Sequence, residues 1–363
     1  MIFYLSIGQL QEEFSRYYEF NHACAGFDTI LTNLYTRQEF KTDKPAVPDI
    51  RQMIELRDAD FLDAVSQLHY EFSSEKLFQD SDYDIVPEFN DIVTISQFWR
   101  TENMLHTHDC FEINYVYKGK CEMTFLNEQR ILSEGDFCII SPYAQHTTRL
   151  LTGKSCVFPI LVKEKTFEAV FFPLLSDMDI IFSFFRQILT NPSKPNYLLF
   201  QTTNSVETRM LVKLLFMERF RMDNYINQSS IHWLNLLFIN VLRNYNTYSQ
   251  FSYYDSGQDY APILRYIKTH YKTIDLELLS KKFNYSTVYM SKIIKNTTGK
   301  HFTEIIRQLK MEEAAHLLTQ TDDSVEKISK HVGYSSSDHF ARTFRNYYGI
   351  SPLNYRKKNH RYQ

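Results

Sequence analysis

The chain has 363 residues, 44% of them hydrophobic and 23% charged, with 9 Gly and 10 Pro. It is long enough for two or three domains, and its composition excludes disordered, collagen-like and low-complexity readings. The net charge of −3 is unevenly spread: residues 261–363 carry 18 Lys+Arg against 9 Asp+Glu, whereas residues 1–260 carry 22 against 34. A basic end on an acidic body is the electrostatic footprint expected of a nucleic-acid contact, unless motifs show it to be chance clustering.

Residues 1–7 lack the basic start of a signal peptide, and acids arrive at Glu12 and Glu13. The five cysteines, Cys24, Cys110, Cys121, Cys138 and Cys156, include no CxxC pair, so neither a disulfide framework nor a zinc ribbon is indicated and a reducing compartment fits. Apolar stretches at 167–175 and 231–242 fall short of the roughly 20 residues that span a bilayer. The expected location is the cytoplasm, with no membrane partner.

Residues 1–90 read as a mixed, helical extension with acids at Asp58, Asp60, Asp63, Glu71 and Glu75 and no chemical motif. Residues 91–160 alternate in the manner of strands, at 92–98, 111–117, 121–125 and 137–140, with a turn at Lys118-Gly119-Lys120. Several short strands separated by turn signals predict a small barrel. Onto it fall His106-x-His108, Glu112 and, beyond Gly135-Asp136, His146. Alternate residues of a strand share a side, and Glu112 shares the parity of His108 if the strand is unbroken. A barrel would then gather His106, His108, Glu112 and His146 around one point. Three imidazoles and a carboxylate suit borderline divalent ions. The same groups also serve as hydrogen-bonding partners for a small-molecule effector, or as plain solvated residues at a barrel mouth. Cys110 has the parity of His108, and an inert thiol is the plainer reading.

Residues 161–246 form a helical connector, periodic at 206–220 and 230–244. Trp233, Leu236, Leu237, Ile239, Val241 and Leu242 leave the second segment little polar surface, which predicts burial in the domain or in a homodimer. Residues 247–260 turn to Ser, Tyr, Asn and Gly without periodicity and read as a linker.

Residues 261–363 contain a repeat. At an offset of 50, Lys292 pairs with Arg342, Ile294 with Phe344, Lys295 with Arg345, Asn296 with Asn346 and Gly299 with Gly349. Each unit has the parts of a helix-turn-helix. Asp275 caps residues 276–283, Asn284-Tyr285 makes the turn, and Ser286 caps a helix that Gly299 ends. Ser324, Gly333, Ser335 or Ser336, and Gly349 play these parts in the second unit. Between the units, Phe302, Ile305, Ile306, Leu309, Ala314 and Leu317 trace an amphipathic helix of about five turns. With Met290, Ile293, Ile294, Phe340 and Phe344 inward, the second helices present Thr287, Val288, Ser291, Lys292 and Lys295, and Ser337, Asp338, Ala341, Arg342 and Arg345. Arg342 suits bidentate contact with guanine and Asp338 a cytosine amine, while Lys295 and Arg345 suit phosphates.

The stretch from Ile328-Ser329-Lys330-His331-Val332-Gly333-Tyr334 through Phe340-Ala341-Arg342-Thr343-Phe344-Arg345 to Tyr348-Gly349-Ile350-Ser351-Pro352 resembles the DNA-binding domain of the AraC/XylS family. The resemblance covers residues 261–358. It implies seven helices, two of which enter successive major grooves of promoter DNA, with base contacts from Val288, Ser291, Lys292, Ser337, Asp338 and Arg342. Lys292 stands where arginine is common and would read guanine less bidentately. The His-x-His, Glu, Gly and distal His spacing resembles the cupin family, which implies a barrel whose His3Glu set holds Mn, Fe, Ni or Zn. In the second motif Ser141 and Tyr143 replace the usual Pro and Gly, and Leu150 the usual Asn.

The expected architecture is a multidomain α+β chain, a cupin-like β-barrel sensor followed by an all-α double helix-turn-helix domain. The function implied is a transcriptional regulator that binds double-stranded promoter DNA and a small-molecule or metal effector and acts as a homodimer, with RNA polymerase as a further partner if the output is activation. The alternatives are a metal-dependent cupin enzyme with an appended DNA-binding domain and a DNA-architectural protein without an effector.

Overall fold

The computed structural model describes residues 1–77, 90–102, 104–125, 128–174, 189, 196–202, 205–221, 223–250 and 261–359. They fall in two units, one from residues 1–174 with 189–250 and the other from residues 261–359.

The first unit opens with β1 (Ile2–Ser6) and α1 (Ile7–Asn21). Ser6 starts this helix because its hydroxyl accepts from Gln9 N while the Gln9 side chain accepts from Ser6 N, a reciprocal cap. Then come α2 (Phe27–Thr36), α3 (Ile50–Glu55), α4 (Asp58–Ser66), β2 (His69–Ser73) and the short α5 (Ser74–Leu77). β1 and β2 pair antiparallel, Leu5 opposite Tyr70. The expected extension is thus a folded layer with its own aromatic core, in which Phe14, Phe27, Phe72 and Phe98 stack at centroid distances of 5.5 to 6.2 Å.

That layer is fastened to the rest of the first unit by polar contacts. The Gln11 amide accepts from Trp99 N at 2.8 Å and donates to Trp99 O at 3.2 Å. Asp58 accepts from Tyr117 Oη at 2.5 Å and pairs with Arg209 and Lys213 at 2.5 and 3.1 Å.

The barrel is built from β3 (Ile92–Thr94), β4 (Phe111–Lys118), β5 (Lys120–Phe125), β6 (Glu128–Ser133), β7 (Phe137–Ile140), β8 (His146–Leu150), β9 (Cys156–Val162), β10 (Tyr197–Thr202) and β11 (Tyr245–Gln250). One sheet runs β11-β10-β7-β4-β9-β3 and the other β6-β5-β8. Side chains meet between them: Cys138 Sγ lies 3.5 Å from Met123 Sδ, and the Phe125 and Tyr197 rings are 5.7 Å apart. The β4–β5 turn needs Gly119, at φ 73°, because a Cβ there would stand 2.7 Å from Ser155 Oγ.

Three sequence expectations need correction. The connector is not purely helical, because Tyr197-Leu198-Leu199-Phe200 forms β10 against β7, with Tyr197 opposite Ile140. All four residues are buried, and such a short apolar run gives no periodic signal to separate strand from helix. The expected linker begins too early, since Tyr245–Gln250 forms β11 along β10. Its polar residues form a strand because a neighbouring strand supplies backbone partners, which local pattern does not reveal. The rest of that linker, residues 251–260, lies outside the described residues. The 92–98 strand is also shorter than expected, although Ile95 N and Gln97 N continue its ladder to Pro159 O and Val157 O at 2.9 and 3.1 Å.

Three helices cover the larger sheet: α6 (Glu164–Phe171), α7 (Val206–Glu218) and α8 (Ile226–Asn244). Phe167 stacks on Phe111 at 3.7 Å, and Phe238 meets Phe137, Phe167 and Phe171. Leu234, Leu237, Phe238 and Val241 are buried, while Leu236 is exposed.

Among the described residues the second unit is built of helices: α9 (Ala261–His270), α10 (Leu276–Lys282), α11 (Thr287–Thr298), α12 (Phe302–Gln320), α13 (Val325–His331), α14 (Ser337–Tyr348) and α15 (Pro352–Asn359). These are the seven helices the resemblance implied. α12 carries Met311, Ala314, Ala315 and Leu318 into a core with Ile328, Val332, Phe340 and Phe344.

Candidate functional site

In the second unit the repeat becomes geometry. α10 and α13 have 7 residues each, and α11 and α14 have 12 each. Ser286 Oγ accepts from Tyr289 N at 3.2 Å and Ser336 Oγ from His339 N at 3.3 Å, so Ser336 rather than Ser335 opens the later helix. Gly299 and Gly349 end the two helices in left-handed conformation, at φ 72° and 77°. Met290, Ile293, Ile294, Phe340 and Phe344 are buried. Thr287, Val288, Lys292, Lys295, Asp338, Arg342 and Arg345 are exposed, and Ser291, Ser337 and Ala341 half-buried. Lys327 and Lys330 on α13 are tied to Asp323 and Glu326, each at 2.7 Å. Lys292, Lys295, Arg342 and Arg345 make no such pair among the described residues. Charge left uncommitted on two equivalent, exposed helix faces is what phosphate and base-edge contact requires.

In the first unit His106, His108, Glu112 and His146 each bring a donor atom within 4.8 Å of the others. The expected strand parity is not the reason. Residues 107–110 are not strand, and β4 begins at Phe111. His106 is held instead by a bridge in which His106 and His146 exchange both backbone hydrogen bonds at 3.1 Å, and His108 by Tyr143 N donating to its carbonyl at 2.7 Å. Tyr143 has φ 61°, so the position where the cupin motif carries Gly keeps the left-handed backbone although the residue is Tyr.

Both His108 Nε2 and His146 Nε2 face Glu112 Oε2, at 3.0 and 3.1 Å. The Nδ1 atoms of His106 and His146 lie 3.0 and 2.8 Å from Met104 O and Ala144 O. For His146 both ring nitrogens therefore face acceptors, and a neutral ring carries only one N–H. A positive charge, proton or metal, has to lie between His146 Nε2 and the carboxylate. The electrostatics agree. Burial opposes ionisation of Glu112, yet His146 and His108 outweigh it and hold the carboxyl well below its usual range. Burial would lower His146, but the charge and hydrogen bond of Glu112 raise it. His106, at the rim, is pushed down by lost hydration and then by His146. The donor set fits a divalent ion, with outer nitrogens held by backbone carbonyls as metal-ligating histidines require.

Asn114 was not legible as part of this group. It is fully buried, and its Nδ2 donates to Glu112 Oε1 at 2.6 Å; the available signal was its i+2 position on the same strand face as Glu112. Cys110 is half-buried and is not in the cluster, and burial first, then Asp109 and Glu112, push its thiol up to about 12. A thiol that stays protonated is inert at neutral pH.

Beside the cluster lies a cavity of about 800 Å³ that His106 also lines. It opens at the seam where the β3 side of one sheet and β8 of the other approach, bridged by Gln97 Nε2 donating to Thr148 O at 3.0 Å. The N-terminal layer covers it with Phe27, Tyr70 and Phe72, and Arg219, just beyond α7, completes the wall.

No helix among the described residues is long and apolar enough to cross a membrane. Residues 279–358 match the family model described as a helix-turn-helix domain, and residues 94–158 the one described as an AraC-like ligand binding domain. The chain is 38% identical over 80 residues to the Msm operon regulatory protein of Streptococcus mutans, 22% of this chain and 29% of that protein. It is 26% identical over 258 residues to an uncharacterized HTH-type transcriptional regulator of Haemophilus influenzae, 67% of this chain and 84% of the relative. To the multiple antibiotic resistance protein MarA of Escherichia coli it is 30% identical over 86 residues, 24% of this chain and 68% of MarA. Two equivalent helix-turn-helix units behind an AraC-like ligand binding domain, and an 86-residue stretch that aligns along two thirds of MarA, make the chain a member of the AraC family of DNA-binding transcriptional regulators.

Proposed function

We propose that this regulator senses a divalent cation at His106, His108, Glu112 and His146, and that occupancy shifts the population of states in which α11 and α14 engage promoter DNA. The observation that carries the metal reading is the convergence of His108 Nε2 and His146 Nε2 on one oxygen of Glu112, at 3.0 and 3.1 Å. Three imidazoles and a carboxylate favour Mn, Fe, Ni or Zn over the harder Mg and Ca. In this reading Thr287, Val288, Ser291, Lys292, Ser337, Asp338 and Arg342 face base edges, and Lys295 and Arg345 face phosphates.

The regulator acts in the cytoplasm as a homodimer, with RNA polymerase as partner where it activates. A second copy docks on the groove between α7 and α8, where exposed Val206, Met210 and Leu236 lie with Glu207 and Arg243. A two-fold axis through that groove sets Glu207 of each copy beside Arg243 of the other. The relatives are transcriptional regulators, and the cluster serves as an effector site rather than as a catalytic centre.

Elemental analysis of the purified full chain, beside a His106→Ala/His108→Ala variant, tests the metal reading. Near-stoichiometric metal that the variant loses, with promoter affinity changed by chelation, supports it. Absence of metal after reconstitution with each of the four ions overturns it.

A further inference from the structure

Arg219 is a cation without a carboxylate. It lines the 800 Å³ cavity, its Nη1 reaches Thr94 O at 3.5 Å, and its guanidinium lies 4.4 Å from the centre of the Tyr70 ring. Among the described residues no acid pairs with it. Guanidinium groups present five donors, and these contacts leave most of them for something in the cavity. Burial has pushed Arg219 below its ordinary value, with the Tyr70 hydroxyl as the only opposing influence. A second polar group lining the cavity is unsatisfied as well: Thr147 is 4% exposed, and its Oγ1 has no hydrogen-bond partner among the described residues.

The rest of the wall sets the body of the occupant. Phe27, Phe72, Phe98, Ile95 and Met104 give part of it an apolar, aromatic lining. The volume lies within the range of small-molecule pockets, about 300–1,000 Å³. Three carboxylates also line it, Glu71, Glu75 and Glu102, together with the Met1 ammonium, which donates to Ser74 Oγ at 2.8 Å. The three acids are exposed, so they belong to the watered mouth, where charge is screened; Arg219 is half-buried and Thr147 buried.

We infer that this cavity is a site for an organic monoanion with an aromatic or otherwise apolar body, its charged head held by Arg219 and Thr147 and its far end uncharged at the acidic mouth. The inference rests on the reading of this unit as the effector-sensing half, but not on the metal. His106 is shared by cluster and cavity; His108, Glu112 and Arg219 are not. The geometry therefore makes two separable inputs, a cation at the cluster and an anion beside it.

Isothermal titration calorimetry of the full chain with 2-naphthoate, 2-naphthalenemethanol and 2,6-naphthalenedicarboxylate tests this. The expected result is saturable binding of 2-naphthoate, at least tenfold tighter than its uncharged alcohol and than the dicarboxylate, whose second charge meets the acidic mouth. Arg219→Gln should weaken 2-naphthoate at least tenfold while leaving the alcohol unchanged, and Thr147→Val should weaken it a few-fold. His108→Ala should leave it within twofold, which separates this site from the metal reading. If Arg219→Gln does not fold, the ratio of acid to alcohol in the unaltered chain and the Thr147→Val effect decide alone. Equal binding of acid and alcohol, no saturable binding of the acid, or an acid affinity indifferent to Arg219 and Thr147 would each overturn the inference, whatever the metal content.

Discussion

Asn284 and Gly333 hold the same left-handed position in the two helix-turn-helix units, at φ 57° and 80°. Each is followed by a Tyr whose N–H reaches back to a buried Ser carbonyl, Tyr285 to Ser280 and Tyr334 to Ser329, both at 2.9 Å. The two positions are not equally tolerant. A Cβ on Gly333 would stand 2.5 Å from Lys272 O, a backbone atom, whereas Asn284 already carries one. Gly333→Ala should therefore cost both left-handed strain and a displaced backbone, at least about 2 kcal/mol. Asn284→Gly should stay within about 0.5 kcal/mol. Urea unfolding of the full chain, followed through the transition of the helical unit, checks this; equal losses from both substitutions would mean that the close approach of Lys272 O does not set the cost at Gly333.

At one offset pair of the second helices Lys292 stands against Arg342, and Arg342 is the residue able to grip guanine through two donors. Arg342→Ala should cost about 1–3 kcal/mol of binding and relax preference at one base pair. Lys295→Ala should weaken all sequences alike and lower the salt slope by about one. Neither side chain has an internal partner among the described residues, so unfolding stability should stay within about 0.5 kcal/mol. Binding titrations on a promoter and its single-base variants, at several salt concentrations, separate the two; identical behaviour contradicts the division into base and phosphate contacts.

Legibility followed how local each cause was. Ser286, Ser336, Gly299 and Gly349 act on their own turn of helix, so caps and lengths of α11 and α14 could be read from residue type alone. His106, His108, Glu112 and His146 were legible as a set through their spacing, although the strand parity offered as their cause does not exist at residues 107–110. β10 and β11 were missed because each is a strand on account of a partner distant in sequence, β7 for β10 and β10 for β11. Arg219 and the cavity were invisible because Phe27, Tyr70, Gln97 and Thr147 meet only in the fold.

Tyr143 tests whether backbone strain serves the cluster. It is 60% exposed, sits at φ 61°, and its N–H holds the His108 carbonyl at 2.7 Å. Tyr143→Gly relieves strain of about 1 kcal/mol and gives back about 0.5–1 kcal/mol of unfolded-chain freedom, so stability should change little. Tyr143→Val puts a β-branched residue where the left-handed region excludes it. It should destabilise by more than about 1 kcal/mol and loosen His108, reducing metal retention about tenfold. Thermal melts with metal content measured on the same samples would show the idea wrong if Val were tolerated as well as Gly.

Asp58 should make the attachment of the N-terminal layer sensitive to acid. Burial would raise its carboxyl, but hydrogen bonds from Tyr117 and Lys213 and the charge of Arg209 outweigh that and hold it below its ordinary value. A carboxyl depressed in the folded state stabilises fully above its unfolded value, about 3.9, and loses that contribution as pH falls through the folded value. The window therefore lies below about pH 4, and above it the contribution is constant. Asp58→Asn cannot pair with Arg209 or Lys213 as an anion. It should lower the melting temperature at pH 7 and show a shallower further fall below about pH 4 than the unaltered chain does. Lys213 then faces Arg209, which keeps Glu134, without the Asp58 anion between them, so added salt should partly restore the variant by screening. Melting curves across pH at two ionic strengths decide this, and an acid limb as steep in Asp58→Asn as in the unaltered chain would assign the acid sensitivity to other carboxylates.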